Sequence, residues 1–397
     1  MSFDFEEIRR RLTIVGELVR DHVLNELRQQ SAESLSAVAF ETAADKIYVI
    51  DRSVETILLP ALARHLQPIT SFALICEGVN DEQPLSFPAG LSIDECQARL
   101  IVDPIDGTRP IMYNKRSAWW LAGFAPNLGK QTSLRNIQTA VQVEIPTTRA
   151  ALADTLWAIR GQGAHAETVN LLTRERAPFQ PQPSRAKTIT GGFASFFHPF
   201  PGGKEIFAAM EEELAQEIIG GLEQSKTAMF DEQYLSTGGQ LYELMMGRDR
   251  MLVDVRGLLY ERFAREGKAT GHACHPYDLC TVLIAEECGV EITGVAGKPV
   301  DAPLDTTSDV SWIGYANANI RAEVEAVLMR LLAKHQLSRG KNNSIFYCCV
   351  CLRSLLPAPS KSLPQTCWTR ASRPKPRSSK ARSCSSPGTW TRAKATV

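Results

Sequence analysis

The residues whose types and spacing could do chemistry are Asp103-Pro104-Ile105-Asp106-Gly107-Thr108. They follow a short apolar run, so two acids project from what reads as a rigid turn at a strand end. Pro104 fixes one backbone angle, which lets both carboxylates converge on one point. Gly107 allows the backbone to approach a ligand closely. If a helix starts here, the amides of Gly107 and Thr108 form an anion site at its N-terminus. Carboxylates beside an anion site are reconciled by cations standing between them. Two hard cations bridging the acids and a phosphate would satisfy every charge. The plainer alternative is an ordinary turn, since Asp-Pro and Asp-Gly are common turn dipeptides.

These residues need elements to position them. Phe5, Ile8, Leu12, Val15, Val19, Val23 and Leu27 step by three or four, which predicts a first helix. A second helix starts near Asp51, an N-cap or first-turn acid, with Val54, Ile57, Leu58, Ala61, Leu62 and Leu66 on its buried side. Phe40–Ile50 between them reads as loop or short strand. Apolar runs at 71–76, 98–102, 119–125, 139–145 and 154–160 predict strands of a mostly antiparallel sheet. Residues 178–202, rich in Pro and Gly, read as the join between two lobes. Beyond it are predicted helices over 204–220, 278–288 and 319–336, and strands over 251–255 and 311–315. Trp119 and Trp120 are expected to divide, one in the core and one at an interface or pocket.

With DPIDGT in this setting, the chain resembles the inositol monophosphatase-like sugar phosphatases, which include relatives acting on fructose bisphosphate and phosphoadenosine phosphate. The family's other landmarks have counterparts in order. Asp45 and Asp51 match its paired acids before a long helix, and Glu77 in Cys76-Glu77-Gly78 matches the first Glu of its Gly-Glu-Glu, the second being absent. Ser236-Thr237-Gly238-Gly239 resembles its small-residue stretch. Asp278 matches the Asp of its Trp-Asp, with Tyr277 in place of the Trp. Arg109-Pro110 stands where the family has Thr-Asn, and residues 256–272 read as an insertion.

The resemblance implies a layered α/β (α+β) fold of alternating helix and sheet layers (αβαβα), two-lobed, with the site between lobes. Residues 1–185 would form the metal- and phosphate-binding lobe and 186–337 the substrate lobe. The implied activity is Mg²⁺-dependent hydrolysis of an inositol, sugar or nucleotide monoester by metal-activated water, with two or three Mg²⁺ and no covalent enzyme intermediate. Glu77, Asp103 and the Ile105 carbonyl would hold one ion, and Asp103, Asp106 and Asp278 a second. Asp51 would reach a third. Thr108, paired with Asp51 or Glu77, would orient or deprotonate the water. Gly107 and Thr108 would grip the phosphate, Arg109 would read a second anionic group, and Asp254 would meet a substrate hydroxyl. The alternatives are a binding or regulatory protein on the same scaffold, or a bisphosphate-specific phosphatase. The family also implies a homodimer.

Composition sets the outer bounds. Of 397 residues 44% are hydrophobic and 22% charged, which allows a sizeable core and excludes global disorder. No apolar run approaches the ~20 residues of a membrane helix. From Ser338 onward there are 12 Lys and Arg and no acid, leaving 32 basic and 44 acidic residues before it, a net charge of −12. The segment 338–397 also holds 11 Ser and six Pro, so it is expected to be disordered. It is the one part that nucleic acid or anionic lipid would engage. Five cysteines before residue 338, an odd number with no leader-like N-terminus, point to reduced thiols in a cytoplasm. Gly271–His275 (GHACH) has the look of a metal motif but lacks the remaining ligands at zinc spacing.

Overall fold

The structure, a computed structural model, describes residues 3–41, 46–79, 83–220 and 227–338. Asp45 and the segment from 339 onward lie outside the described residues. The chain opens with helix α1 (Phe5–Gln29), the single turn α2 (Ala32–Leu35), the antiparallel pair β1 (Val38–Glu41) and β2 (Lys46–Tyr48), and helix α3 (Val49–His65). Next come β3 (Phe72–Cys76), β4 (Leu85–Phe87), β5 (Ala98–Asp106), the short helix α4 (Thr108–Met112), β6 (Ala118–Pro126), β7 (Thr139–Ile145), β8 (Leu152–Ile159), β9 (Ala164–Asn170) and β10 (Arg176–Phe179). After a stretch without helix or strand follow β11 (Phe193–Phe196), α5 (Lys204–Ile219), α6 (Thr237–Met245), β12 (Asp249–Asp254) and α7 (Arg256–Arg265). The last elements are α8 (Val282–Cys288), β13 (Glu291–Gly294), β14 (Trp312–Tyr315) and α9 (Ala318–Lys334).

An eight-stranded sheet runs in the order β10-β9-β8-β7-β6-β5-β3-β4 and a four-stranded sheet in the order β11-β12-β14-β13. The first is antiparallel except where β3 runs parallel to β5. Alternation along its strands sorts two cores. Leu100, Val102, Trp120 and Ala122 pack against α1 and α3, while Ile101, Trp119 and Leu121 face α6 and α8. In the second sheet Leu252 and Trp312 join that inner core. Met251, Val253, Ile313 and Tyr315 pack outward with α5, α7 and α9. The layers are therefore helix, sheet, helix, sheet, helix, as expected.

Several local expectations are corrected. Both Trp119 and Trp120 are core residues, because consecutive residues point to opposite faces and this sheet is covered on both. Strands β9 to β11 were not foreseen, and α7 occupies what read as an insertion. The helix expected over 278–288 begins only at Val282, after Thr281, so Asp278 lies in the turn before it.

Candidate active site

The two acids of DPIDGT do not project from a turn. Strand β5 continues through them, and its pairing with β6 slips there. Asp103 faces Leu121 and Asp106 faces Trp119, so two residues of β5, Pro104 and Ile105, stand opposite Trp120 alone. Pro104 has no N–H to give the ladder, which makes this the natural place for a bulge. Residues three apart on a regular strand point to opposite faces. The extra residue restores the phase, so Asp103 and Asp106 both face the inner layer with Leu121 and Trp119. The Ile105 N–H donates to Asp103 Oδ1 at 3.0 Å and fixes that carboxylate's orientation.

Three other segments close on this face. The parallel register pairs Cys76 with Val102, which places Glu77 beside Asp103. Asp278 comes from the turn before α8. That turn sits directly on β6, where a Cβ on Gly123 would lie 2.7 Å from the Cys280 carbonyl oxygen. The His275 N–H donates to Asp278 Oδ2 at 2.6 Å. The start of α6 lies against Asp106, with Ser236 Oγ donating to Oδ2 at 2.9 Å, the Gly238 N–H to the same oxygen, and the Thr237 N–H to Oδ1 at 3.2 Å. Buried Gln142 on β7 ties the last two segments together. It donates to the Gly238 carbonyl at 2.8 Å and accepts from Thr281 Oγ1 at 3.1 Å.

Gly107 adopts the left-handed φ of +98° and turns the chain from β5 into α4. Thr108 Oγ1 then lies 3.1 Å from Asp51 Oδ1 and 2.8 Å from the Ile105 carbonyl oxygen, and its one proton serves either acceptor. Asp51 is in the first turn of α3, held from its other oxygen by the Tyr48 N–H at 2.9 Å. Of the two partners foreseen for Thr108, Asp51 is the one hydrogen-bonded to it.

Asp103, Asp106 and Asp278 each offer an oxygen within 4.8 Å of the others, and all three are buried. Burial, then the charges of Glu77, Asp106 and Asp278, hold the Asp103 carboxyl well above the usual carboxylate range. Burial and then Asp106 do the same to Asp278, against the opposing pull of the His275 N–H and Arg256. Burial raises Asp106 to about 6, although the three donors from α6 work against it. Like charges packed this way are costly unless neutralised. A set made only of carboxylate and carbonyl oxygens suits a hard divalent cation rather than a soft one, so the residues present fit the ion that the sequence pattern implies.

The acids line an open cleft. Its walls include Tyr48, Arg109, Phe197, Phe200, Leu235, Arg256 and His272. Arg109, foreseen, lies over the Tyr48 ring at 5.7 Å. Asp254 is fully buried and is not on the cleft wall. It is held by Arg256 through Nε at 2.9 Å and Nη2 at 2.7 Å. Arg256 itself takes the wall position, its guanidinium 4.6 Å from the centre of the Phe197 ring. His272 rather than His275 reaches the cleft. Among the described residues, neither belongs to a group of side chains close enough to share an ion. Arg116 is taken up by Glu232 and by Glu243 at 3.0 Å. Sequence reasoning missed Ser236 as a partner of Asp106, and Phe197, Phe200 and Arg256 altogether. Ser236 was visible only as one of several small residues.

Among solved structures, the chain shares its fold with the extragenic suppressor protein SuhB of Bartonella henselae, at 16% identity and TM-score 0.54, over 81% of this chain and 98% of that one. An inositol monophosphatase–fructose 1,6-bisphosphatase gives 16% identity and TM-score 0.54 over 84% and 100%. The fructose-1,6-bisphosphatase of Leishmania major in its holo form gives 12% and 0.56 over 81% and 94%. These are structures of the superfamily that the DPIDGT pattern resembles, and the likeness is one of fold. No protein-family model matches the sequence, and no curated protein matches it. Among the described residues no helix is long and apolar enough to cross a membrane.

Proposed function

We propose that this chain is a Mg²⁺-dependent phosphatase acting on a small phosphate monoester, of an inositol, a sugar or a nucleotide, by direct attack of water. The observation that carries this reading is the convergence of buried Asp103, Asp106 and Asp278 within 4.8 Å, with the Thr108–Asp51 pair, in the lining of one open cleft. Two of the structures that share the fold are a fructose-1,6-bisphosphatase and an inositol monophosphatase–fructose 1,6-bisphosphatase, which supports the same class of chemistry.

In this reading Glu77, Asp103, Asp106, Asp278 and the Ile105 carbonyl hold the cations, with Asp51 reaching a further one. The chemistry Mg²⁺ supplies when bound is neutralisation of phosphoryl charge and acidification of a water. Thr108 Oγ1 orients the attacking water, and Asp51 Oδ1, hydrogen-bonded to that hydroxyl, accepts the proton relayed through it. The N–H groups of Gly107 and Thr108 hold phosphate oxygens. A bond forms from the water oxygen to phosphorus as the ester P–O bond breaks, and the departing oxygen takes its proton from solvent. The leaving group lies against Phe197, Phe200, Arg256 and His272. In this reading residues 1–185 supply the phosphate end together with Asp278, and 186–337 supply the substrate wall jointly with Tyr48 and Arg109. A homodimer belongs to the same proposal.

Phosphate release by the full chain, measured over inositol, sugar and nucleotide monophosphates in Mg²⁺ and in chelator, tests this. Turnover that needs Mg²⁺ and favours one ester class is expected. Mg²⁺ bound at the site with no turnover on any class would favour a binding protein on this scaffold.

A further inference from the structure

Asp106 is gripped by a helix from the other half of the sequence. Ser236, the N-cap of α6, and Thr237 and Gly238, its first two residues, give its carboxylate three hydrogen bonds, and the Ser236 hydroxyl comes from 130 residues away. Of the four lone-pair sites a carboxylate offers, both on Oδ2 and one on Oδ1 are thereby taken. Among the described hydrogen bonds, one site on Oδ1 remains open.

The Ser236 hydroxyl has a fixed sense. It accepts from the Gly239 N–H at 2.8 Å as the N-cap of α6, so its proton is directed to Asp106 Oδ2. Ser236 is only 3% exposed, although it lines the cleft, so its hydroxyl is held by protein partners on both sides. The approach is close enough to demand a glycine. A Cβ on Gly238 would lie 2.9 Å from Asp106 Oδ2 and 2.6 Å from Leu121 Cδ2. The same hydroxyl therefore caps a helix and orients a carboxylate of the candidate metal site.

We propose that Ser236 is a positioning residue that sets the site's Mg²⁺ affinity by fixing Asp106 so that only Oδ1 faces the ion. The proposal rests on the phosphatase reading. It assigns to the cap of α6 a task beyond holding the helix: it couples the cleft wall formed by Leu235, Ser236 and Thr237 to the acids on β5.

The test is Mg²⁺ titration by calorimetry on the full chain, as wild type, Ser236→Ala and Ser236→Thr, beside thermal unfolding of each in chelator and steady-state kinetics over a range of Mg²⁺. Ser236→Ala is expected to weaken Mg²⁺ binding about tenfold, the low end for loss of a group that orients a metal ligand. Its activity should return at high Mg²⁺, and Ser236→Thr, which keeps the hydroxyl, should bind Mg²⁺ as the wild type does. If Ser236→Ala unfolds at a lower temperature in chelator yet keeps the wild-type Mg²⁺ affinity, Ser236 is a helix cap only and the proposal is overturned. A loss of activity that high Mg²⁺ does not restore, at unchanged affinity, would overturn it as well. Wild-type protein that binds no Mg²⁺ would bring down the metal-site reading and this proposal together, an outcome distinct from either of those.

Discussion

Asp103, Asp106 and Asp278 carry a cost that the metal-free chain cannot avoid, and it has a sign. Their folded-state pKa values lie above the ordinary value, for Asp106 at about 6. The folded chain therefore binds more protons than the unfolded one, so the stability these groups contribute is complete below about pH 4 and is lost as pH rises. In chelator, the unfolding temperature should fall between about pH 4 and 6 for Asp106 and continue to fall as its two neighbours ionise. Added Mg²⁺ should flatten that slope, because a bound cation favours the ionised acids. A chelated protein whose stability from these groups rises over the same range would show that the acids do not share a buried site. Arg109 makes a second claim at this scale. It stands on the cleft wall over the Tyr48 ring. Arg109→Ala should then raise KM far more than it lowers kcat on a substrate with two phosphate groups, and leave a monophosphate little changed. Equal losses on both substrates would place Arg109 in the chemistry instead.

At the scale of elements, the site depends on two close approaches to the eight-stranded sheet. The turn bearing Asp278 reaches β6 over Gly123, and the start of α6 reaches Asp106 over Gly238. Gly123→Ala must push the Cys280 backbone away, since the added Cβ would sit 2.7 Å from its carbonyl oxygen. The expected cost is about 1–3 kcal/mol in urea unfolding, typical of overpacking. Mg²⁺ affinity should weaken as well, because Asp278 rides on the same turn. Unchanged Mg²⁺ binding in a destabilised variant would show that Asp278 is not held by that contact. These approaches also explain what the sequence could and could not reveal. The letters of DPIDGT, the period of α1 and α3 and the apolar runs of β3, β5, β6 and β7 were legible because each is local. The bulge was not, because it depends on which residue of β6 lies opposite Pro104. Strand β9 reads AHAETVN and β10 contains Pro178, so neither has the apolar alternation that marks a strand. The Asp254–Arg256 pair was hidden by reading 256–272 as inserted chain, although Leu258, Leu259 and Phe263 of α7 belong to the outer core.

In the whole molecule, the acids are brought together by strand, turn and helix segments spread from Asp51 to Asp278, so the site exists only when both sheets and the helices between them are assembled. That makes metal binding a report on the complete fold as well as on chemistry. The inner core is shared, since Trp119 and Leu121 of the first sheet and Leu252 and Trp312 of the second pack in one cluster with α6 and α8. The single most direct measurement is Mg²⁺-dependent phosphate release by the full chain and by Asp103→Asn, each first shown to be folded by circular dichroism. The account predicts turnover in the wild type that disappears in chelator. In Asp103→Asn it predicts a loss beyond the roughly 10–100-fold that an outer partner of a metal ligand costs. A folded Asp103→Asn protein that releases phosphate at the wild-type rate, or wild-type turnover that persists in chelator, would contradict it.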